Sequence, residues 1–260
     1  MELALSFLPN LLLIFCRLTG FFVTAPVFSS RNNVPMQFRI GLSVFISLLV
    51  FLSAGTQTPI PMDSDYALYV IRESLIGVLL GFIAYMFFTV VQIAGSFIDM
   101  QMGFGIANVI DPMTGAQTPV FGSFKYIVGT LIFFSINGHH YLLAAILDSY
   151  QAIPLENRFF EIYASGTVTE LLVKSLVVGF TIAFQMAAPI VASMFLIDVA
   201  LGILTKTSPQ FNIFVVGMPL KIIAGLFLTF LLVPTFLTIF QHLFGTMFDH
   251  LFELLRLLRS

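Results

Sequence analysis

From Ser74 to Ile98 the chain runs without a single Asp, Glu, Lys, Arg or His, and that stretch decides the solvent in which it folds. About 20 mostly apolar residues in a helix cross the hydrocarbon core of a bilayer. The remainder of the chain is of the same kind. Of its 260 residues 58% are hydrophobic and only 9% charged, where a soluble domain carries roughly a quarter charged. So few charges cannot dress a water-facing surface. The fold class this predicts is all-α, a multi-pass helical membrane protein, in which lipid forces each backbone polar group to be satisfied within its own segment. Pro and Gly recur in every long segment, which predicts kinked or broken helical hairpins rather than straight rods.

A net charge of −2 excludes a basic protein that grips nucleic acid through a charged face. Cys16 stands alone, so no internal disulfide forms, and no Cys/His cluster has metal-ligand spacing. No metal or other cofactor is therefore expected. The opening MELALSFLPNLLLIF has no Lys or Arg ahead of its apolar run, unlike a cleavable signal peptide. It is expected to persist as a membrane helix.

In chain order, Leu3 to Phe28 predicts a spanning helix carrying Arg17, which is costly at mid-membrane and is expected to face protein and pair with a carboxylate. Ser29 to Arg39 reads as a polar connection and Ile40 to Ala54 as a segment short for a span. Ser64 or Asp65 is expected to cap a long helix reaching Ile98. Its Arg72 and Glu73, being adjacent, are expected to look to different partners. Then comes DMQMGFGIANVIDP, Asp99 to Pro112. Two carboxylates bracket a stretch in which Gly103 and Gly105 give backbone freedom and Met100 and Met102 give adaptable packing. A helix from Val120 to Ile136 carries Lys125 and breaks at Asn137-Gly138. His139 and His140 are expected to point to different sides.

Asp148 to Thr169 is the most polar region and the expected exposed loop, dividing residues 1–147 from residues 148–260. Glu170 and Lys174 are spaced to pair along a helix that runs to about Ile197, kinked at Pro189. Asp198, Lys206 and the step TKTSPQFN mark a further break. Phe211 to Phe240 is the last long apolar segment, interrupted by Pro219, Lys221 and Pro234. In the tail, 243–260, apolar residues recur at helical spacing from Leu243 to Leu258, with Asp249, Glu253, Arg256 and Arg259 between. This predicts an amphipathic helix at the membrane surface or against a partner.

No HExxH, GxSxG or P-loop lysine motif is present, so an enzyme is not expected. Asp99, Asp111 and Asp198 keep a proton relay open, and with it an ion-coupled solute transporter, because intramembrane acids are expensive unless used. Acids beside Gly and Pro breaks also serve as helix caps.

Three blocks together resemble the FliR family, export-gate subunits of bacterial flagellar type III secretion. They are Arg17-Leu-Thr-Gly20 with Pro26, Pro35 and Arg39; Asp99, Gln101, Gly103, Ala107, Asp111 and Pro112; and Ser208-Pro-Gln-Phe-Asn212 with Gly217, Pro219 and Lys221. The likeness spans nearly the whole chain. It implies a multi-pass protein of the bacterial cytoplasmic membrane and flagellar basal body, packed into a helical export-gate assembly. FliP and FliQ would be its direct partners, with FlhA and FlhB alongside, membrane lipid around it and unfolded flagellar proteins as cargo. The same fold serves virulence injectisomes. The resemblance also implies a FliP-like half over 1–147 and a FliQ-like half over 148–260, with a channel plug within 99–119. Gly103, Phe104, Gly105, Ile106, Val109 and Ile110 would form that plug, with Asp99, Asp111 and Pro112 as anchors. Arg17, Pro209, Asn212, Gly217, Pro219 and Lys221 would be structural or partner-contact positions.

Overall fold

The computed structural model describes residues 7–29, 34–54, 60–104, 119–153, 163–208 and 213–259. Among them every regular element is a helix: α1 (Leu8–Thr24), α2 (Pro26–Ser29), α3 (Met36–Ala54), α4 (Tyr66–Met102), α5 (Val120–Ser135), α6 (Gly138–Ala152), α7 (Thr167–Thr207), α8 (Ile213–Leu231) and α9 (Val233–Arg259). By length and composition α3, α4 and α7 can each cross a membrane, and two bent helix pairs raise the number to five if each pair is one span. The chain divides into two compact units. The first is Met1–Met86, Asn137–Leu176 and Thr246–Ser260; the second is Phe87–Ile136 and Val177–Gly245. Each draws on both sequence halves.

The first unit is built on α1. Its buried face, Leu13, Ile14, Arg17, Leu18, Phe21 and Phe22, follows the helical period and packs on α3 and α4. The expected continuous helix to Phe28 stops at Thr24, because Pro26 disfavours the helical region for the residue before it. Ala25 is accordingly extended, with φ −63° and ψ 125°. On α4 the spacing Gly77-x-x-x-Gly81 lets the two backbones meet. A Cβ at Gly77 would overlap the Arg17 carbonyl oxygen, and one at Gly81 would overlap Thr24 Oγ1. On α1 a Cβ at Gly20 would come within 2.7 Å of the Ser74 carbonyl oxygen. Small residues are what permit such a crossing.

Helix α3 begins at Met36, four residues before the expected start, taking Arg39 into its first turns. Arg39 folds back to donate to the Val34 carbonyl at 3.2 Å. The helix hides only 17% of its span and shows Phe45, Leu48 and Leu52 outward.

In the second unit the core is aromatic. Phe88 of α4, Phe133 of α5 and Phe244 of α9 meet pairwise with centroids 5.1–5.2 Å apart. Edge-on and tilted pairs of this kind each add about 0.5–1.5 kcal/mol beyond burial. Backbones again close on glycine: a Cβ at Gly95 would overlap Gly122, and one at Gly129 would lie 2.8 Å from the Phe240 ring.

Other expectations shift for identifiable reasons. Helix α6 runs on through Asp148 to Ala152, shortening the expected polar loop from its start. Helix α7 does not break at Asp198 but continues to Thr207, because that carboxylate is paired (see below). Lys174 turns from Glu170 to Glu253 on α9, at 2.8 Å. The rings of His139 and His140 meet with centroids 4.2 Å apart instead of diverging. The amphipathic tail is the second part of α9, and its apolar stripe of Met247, Leu251, Leu254 and Leu258 is buried within the chain itself.

Candidate functional site

Asp99 lies in the last turn of α4 and is buried. Its carboxylate accepts the Phe121 N–H at 3.0 Å and the Gly122 N–H at 3.3 Å. Those two groups are among the four orphan donors that open any helix, here α5. Pro119, the residue at the cap position, supplies no side-chain oxygen, so α4 supplies the cap from outside. A carboxylate at a helix N-terminus also meets the positive end of the helix dipole. Gly95 and Gly122 make this approach possible, since either side chain would hold the helices apart.

Four residues after Asp99 the helix has ended. Gly103 stands at φ +90°, the left-handed region that L side chains rarely adopt. Phe104 then lays its ring on Phe121, centroids 5.8 Å apart. Phe104 and Phe121, on either side of residues 105–118 in the sequence, are thus joined by this ring pair next to the Asp99 cap. Gly105, Ile106, Val109, Ile110, Asp111 and Pro112 lie outside the described residues, as do Pro209 and Asn212.

The outgoing stem is tied to two more helices. Gln101 Nε2 donates to Asp198 Oδ2 of α7 at 3.0 Å, and Lys221 Nζ of α8 reaches the same carboxylate at 2.8 and 2.9 Å. Met102 is buried against Gly225 of α8. The structure thereby brings Asp99, Gln101, Gly103, Phe104, Asp198 and Lys221 into one unit. The charged members enter as pairs or as caps, the form in which an apolar helix bundle tolerates them. Gly217 and Pro219 lie on α8, the first buried and the second exposed.

Arg17 belongs to the first unit and is fully buried. Its Nε donates to Glu73 Oε2 at 2.6 Å. Nη1 donates to the Ser149 carbonyl at 2.8 Å and to Ser149 Oγ at 3.0 Å, and Nη2 to the Ile153 carbonyl at 3.0 Å. The guanidinium therefore closes the C-terminal end of α6, where orphan carbonyls and the negative dipole end attract a cation. The Tyr150 ring lies 4.2 Å beneath it. Arg72, despite its adjacency to Glu73, also reaches that carboxylate, by Nη2 at 2.8 Å and Nε at 3.2 Å. The long side chain curls back where short ones could not.

Two features escaped the sequence reading. The Gly77-x-x-x-Gly81 spacing was legible as a small-residue helix crossing. Glu73 as the partner of Arg17 was not, because 56 residues separate them and nothing local points from one to the other.

The family model described as bacterial export proteins, family 1, matches residues 8–247. The flagellar biosynthetic protein FliR of Bacillus subtilis is 42% identical over 257 residues, covering 99% of this chain and 98% of the relative. Its namesake in Pectobacterium carotovorum is 33% identical over 95% of this chain and 92% of the relative. That of Escherichia coli is 28% identical over 92% and 90%. On a match that runs from the first described helix into the last, the chain belongs to the bacterial export proteins, family 1.

Proposed function

We propose that this chain is a membrane subunit of the flagellar type III protein export gate, assembling with FliP- and FliQ-type subunits, near those of FlhA and FlhB type, in the bacterial cytoplasmic membrane. The observation that carries this reading is the end-to-end similarity to proteins named flagellar biosynthetic protein FliR. Helices that expose apolar faces along their length, such as α3, suit a part that packs on other membrane proteins. The chain acts by position, with no turnover of its own. The two sequence halves correspond, in this reading, to FliP-like and FliQ-like parts.

Within it, Gly103 to Pro112 acts as the plug of the closed channel. A plug has to seal and then yield. Support comes from its flanks: the Asp99 cap and the Phe104–Phe121 pair tie the end of α4 to the start of α5 on either side of it. Unfolded flagellar proteins are the cargo. Deleting the gene in its own bacterium and purifying the tagged chain in mild detergent tests the function. Loss of filaments, restored by the gene, and co-elution of several membrane subunits are expected. Full motility of the deletion strain would overturn the assignment.

A further inference from the structure

Between α5, α8 and α9, wholly within the second unit, lies a pocket of about 160 Å³ lined by Phe124, Lys125, Thr229, Val233, Phe236 and Phe240 among others. Its walls are apolar, yet two buried polar atoms on its lining, Lys125 Nζ and Thr229 Oγ1, have no hydrogen-bond partner among the described residues. Lys125 is only 3% exposed. The Phe236 ring, with its centroid 3.8 Å from Nζ, is what the amine meets. A buried polar group without a partner is expensive, and a buried cation more so. Of the described acids of this unit, Asp198 holds Lys221 and Gln101, while Asp99 acts on Lys125 electrostatically but spends its hydrogen bonds on capping α5.

The volume narrows the choice of occupant. Drug-sized ligands fill roughly 300 Å³ or more, whereas about 150 Å³ takes one benzene-sized group. A phospholipid headgroup with its hydration is too large for this volume, and one side chain is the right size. Its chemistry follows from the two donors, which suit the two oxygens of a carboxylate. Phe124, Val233 and Leu237, all exposed at the mouth, offer the apolar rim that a helix would cover.

We propose that this pocket seats a single Asp or Glu side chain from an apolar helix of a co-assembling membrane subunit, with Lys125 Nζ and Thr229 Oγ1 as its donors. The proposal rests on the export-gate reading, since it requires a partner, and it goes further by naming the chemistry of the contact. The test purifies the tagged full-length chain from its own cells in mild detergent, as wild type and as Lys125→Met, Lys125→Glu and Thr229→Val. A photo-reactive aromatic amino acid at Phe124 reports what covers the mouth. The expected cross-link is to an apolar helix bearing an acid. Lys125→Met should lower recovery of that subunit roughly tenfold or more, the cost of stranding one side of a buried charge pair. Lys125→Glu should be rescued by Lys at the partner's acid. If Lys125→Met does not accumulate, Thr229→Val, nearly the same shape, takes its place, and unchanged recovery there overturns the proposal. Cross-links to lipid alone, or full recovery with Lys125→Met, also overturn it. A wild-type chain that brings down no subunit refutes the export-gate reading itself, so the two failures are told apart.

Discussion

Replacing Asp99 separates a cap from a proton carrier. The carboxylate accepts the Phe121 and Gly122 N–H groups at 3.0 and 3.3 Å in a buried site. Asp99→Ala leaves two donors without partners, each worth about 1–3 kcal/mol when buried and unsatisfied, and loses the favourable meeting of charge and dipole, about 0.3–1 kcal/mol. Some relaxation of the α5 end returns part of this, so about 2–4 kcal/mol is expected. Asp99→Asn keeps one carbonyl oxygen in place. It loses only the charge-assisted share of the bonds and the dipole contribution, about 1 kcal/mol. Denaturant unfolding in mild detergent, followed by intrinsic fluorescence or protease resistance, measures both variants. Motility and proton leak measured on the same strains complete the test. If Asp99 serves only as a cap, Asn retains motility and Ala loses it in proportion to stability. A relay reverses the emphasis, because Asn cannot carry a proton. A stable, fully assembled Asp99→Asn protein with no function would refute the capping account, and so would an Asp99→Ala variant as stable as wild type.

Further substitutions test the packing by the same unfolding measurement. Glu73→Ala removes the carboxylate that the buried Arg17 and Arg72 guanidiniums share and is expected to cost about 3–5 kcal/mol. Adding Arg17→Met should return part of that loss, and a purely additive double variant would contradict the ion pair. Gly77→Ala places a Cβ on the Arg17 carbonyl, so it should destabilise by about 1–3 kcal/mol instead of gaining the roughly 1 kcal/mol of helix propensity. Gly202→Ala on α7, where a Cβ meets nothing within 4 Å, is the control expected to gain. Gly103→Ala forces a side chain to φ +90° at a cost of about 1 kcal/mol or more, although the space there is open. A neutral result would place Gly103 outside the left-handed region.

Helix existence was legible in the residues because hydrophobic runs and breakers act locally. Asn137, at φ 58°, breaks the chain where Asn-Gly says it should, and α4 spans nearly the predicted run. Boundaries moved wherever a distant partner changed the local cost. Asp198 reads as a helix breaker only while it is an unpaired acid. With Lys221 at 2.8 Å it becomes an ordinary residue of a 41-residue helix. The tail misled in the opposite sense, since an apolar stripe of that strength specifies burial without saying against what, and here the chain covers it.

Polar residues in an apolar bundle follow a rule that sequence periodicity does not show. With little water to accept them, they are recruited to whatever backbone the fold leaves unsatisfied. Asp99 closes the N-terminus of α5 and Arg17 the C-terminus of α6, each from another helix. The sign at each end follows the dipole: the acid meets N–H groups and the base meets carbonyls. That rule turns Lys125 into the informative exception. It sits on α5 among apolar neighbours and faces a ring, and although the Asp99 carboxylate acts on it electrostatically, its Nζ has no hydrogen-bond partner among the described residues. Among the described residues, this buried amine and the Thr229 hydroxyl on the same pocket are left without a hydrogen-bond partner, and they stand ready for a group from outside the chain.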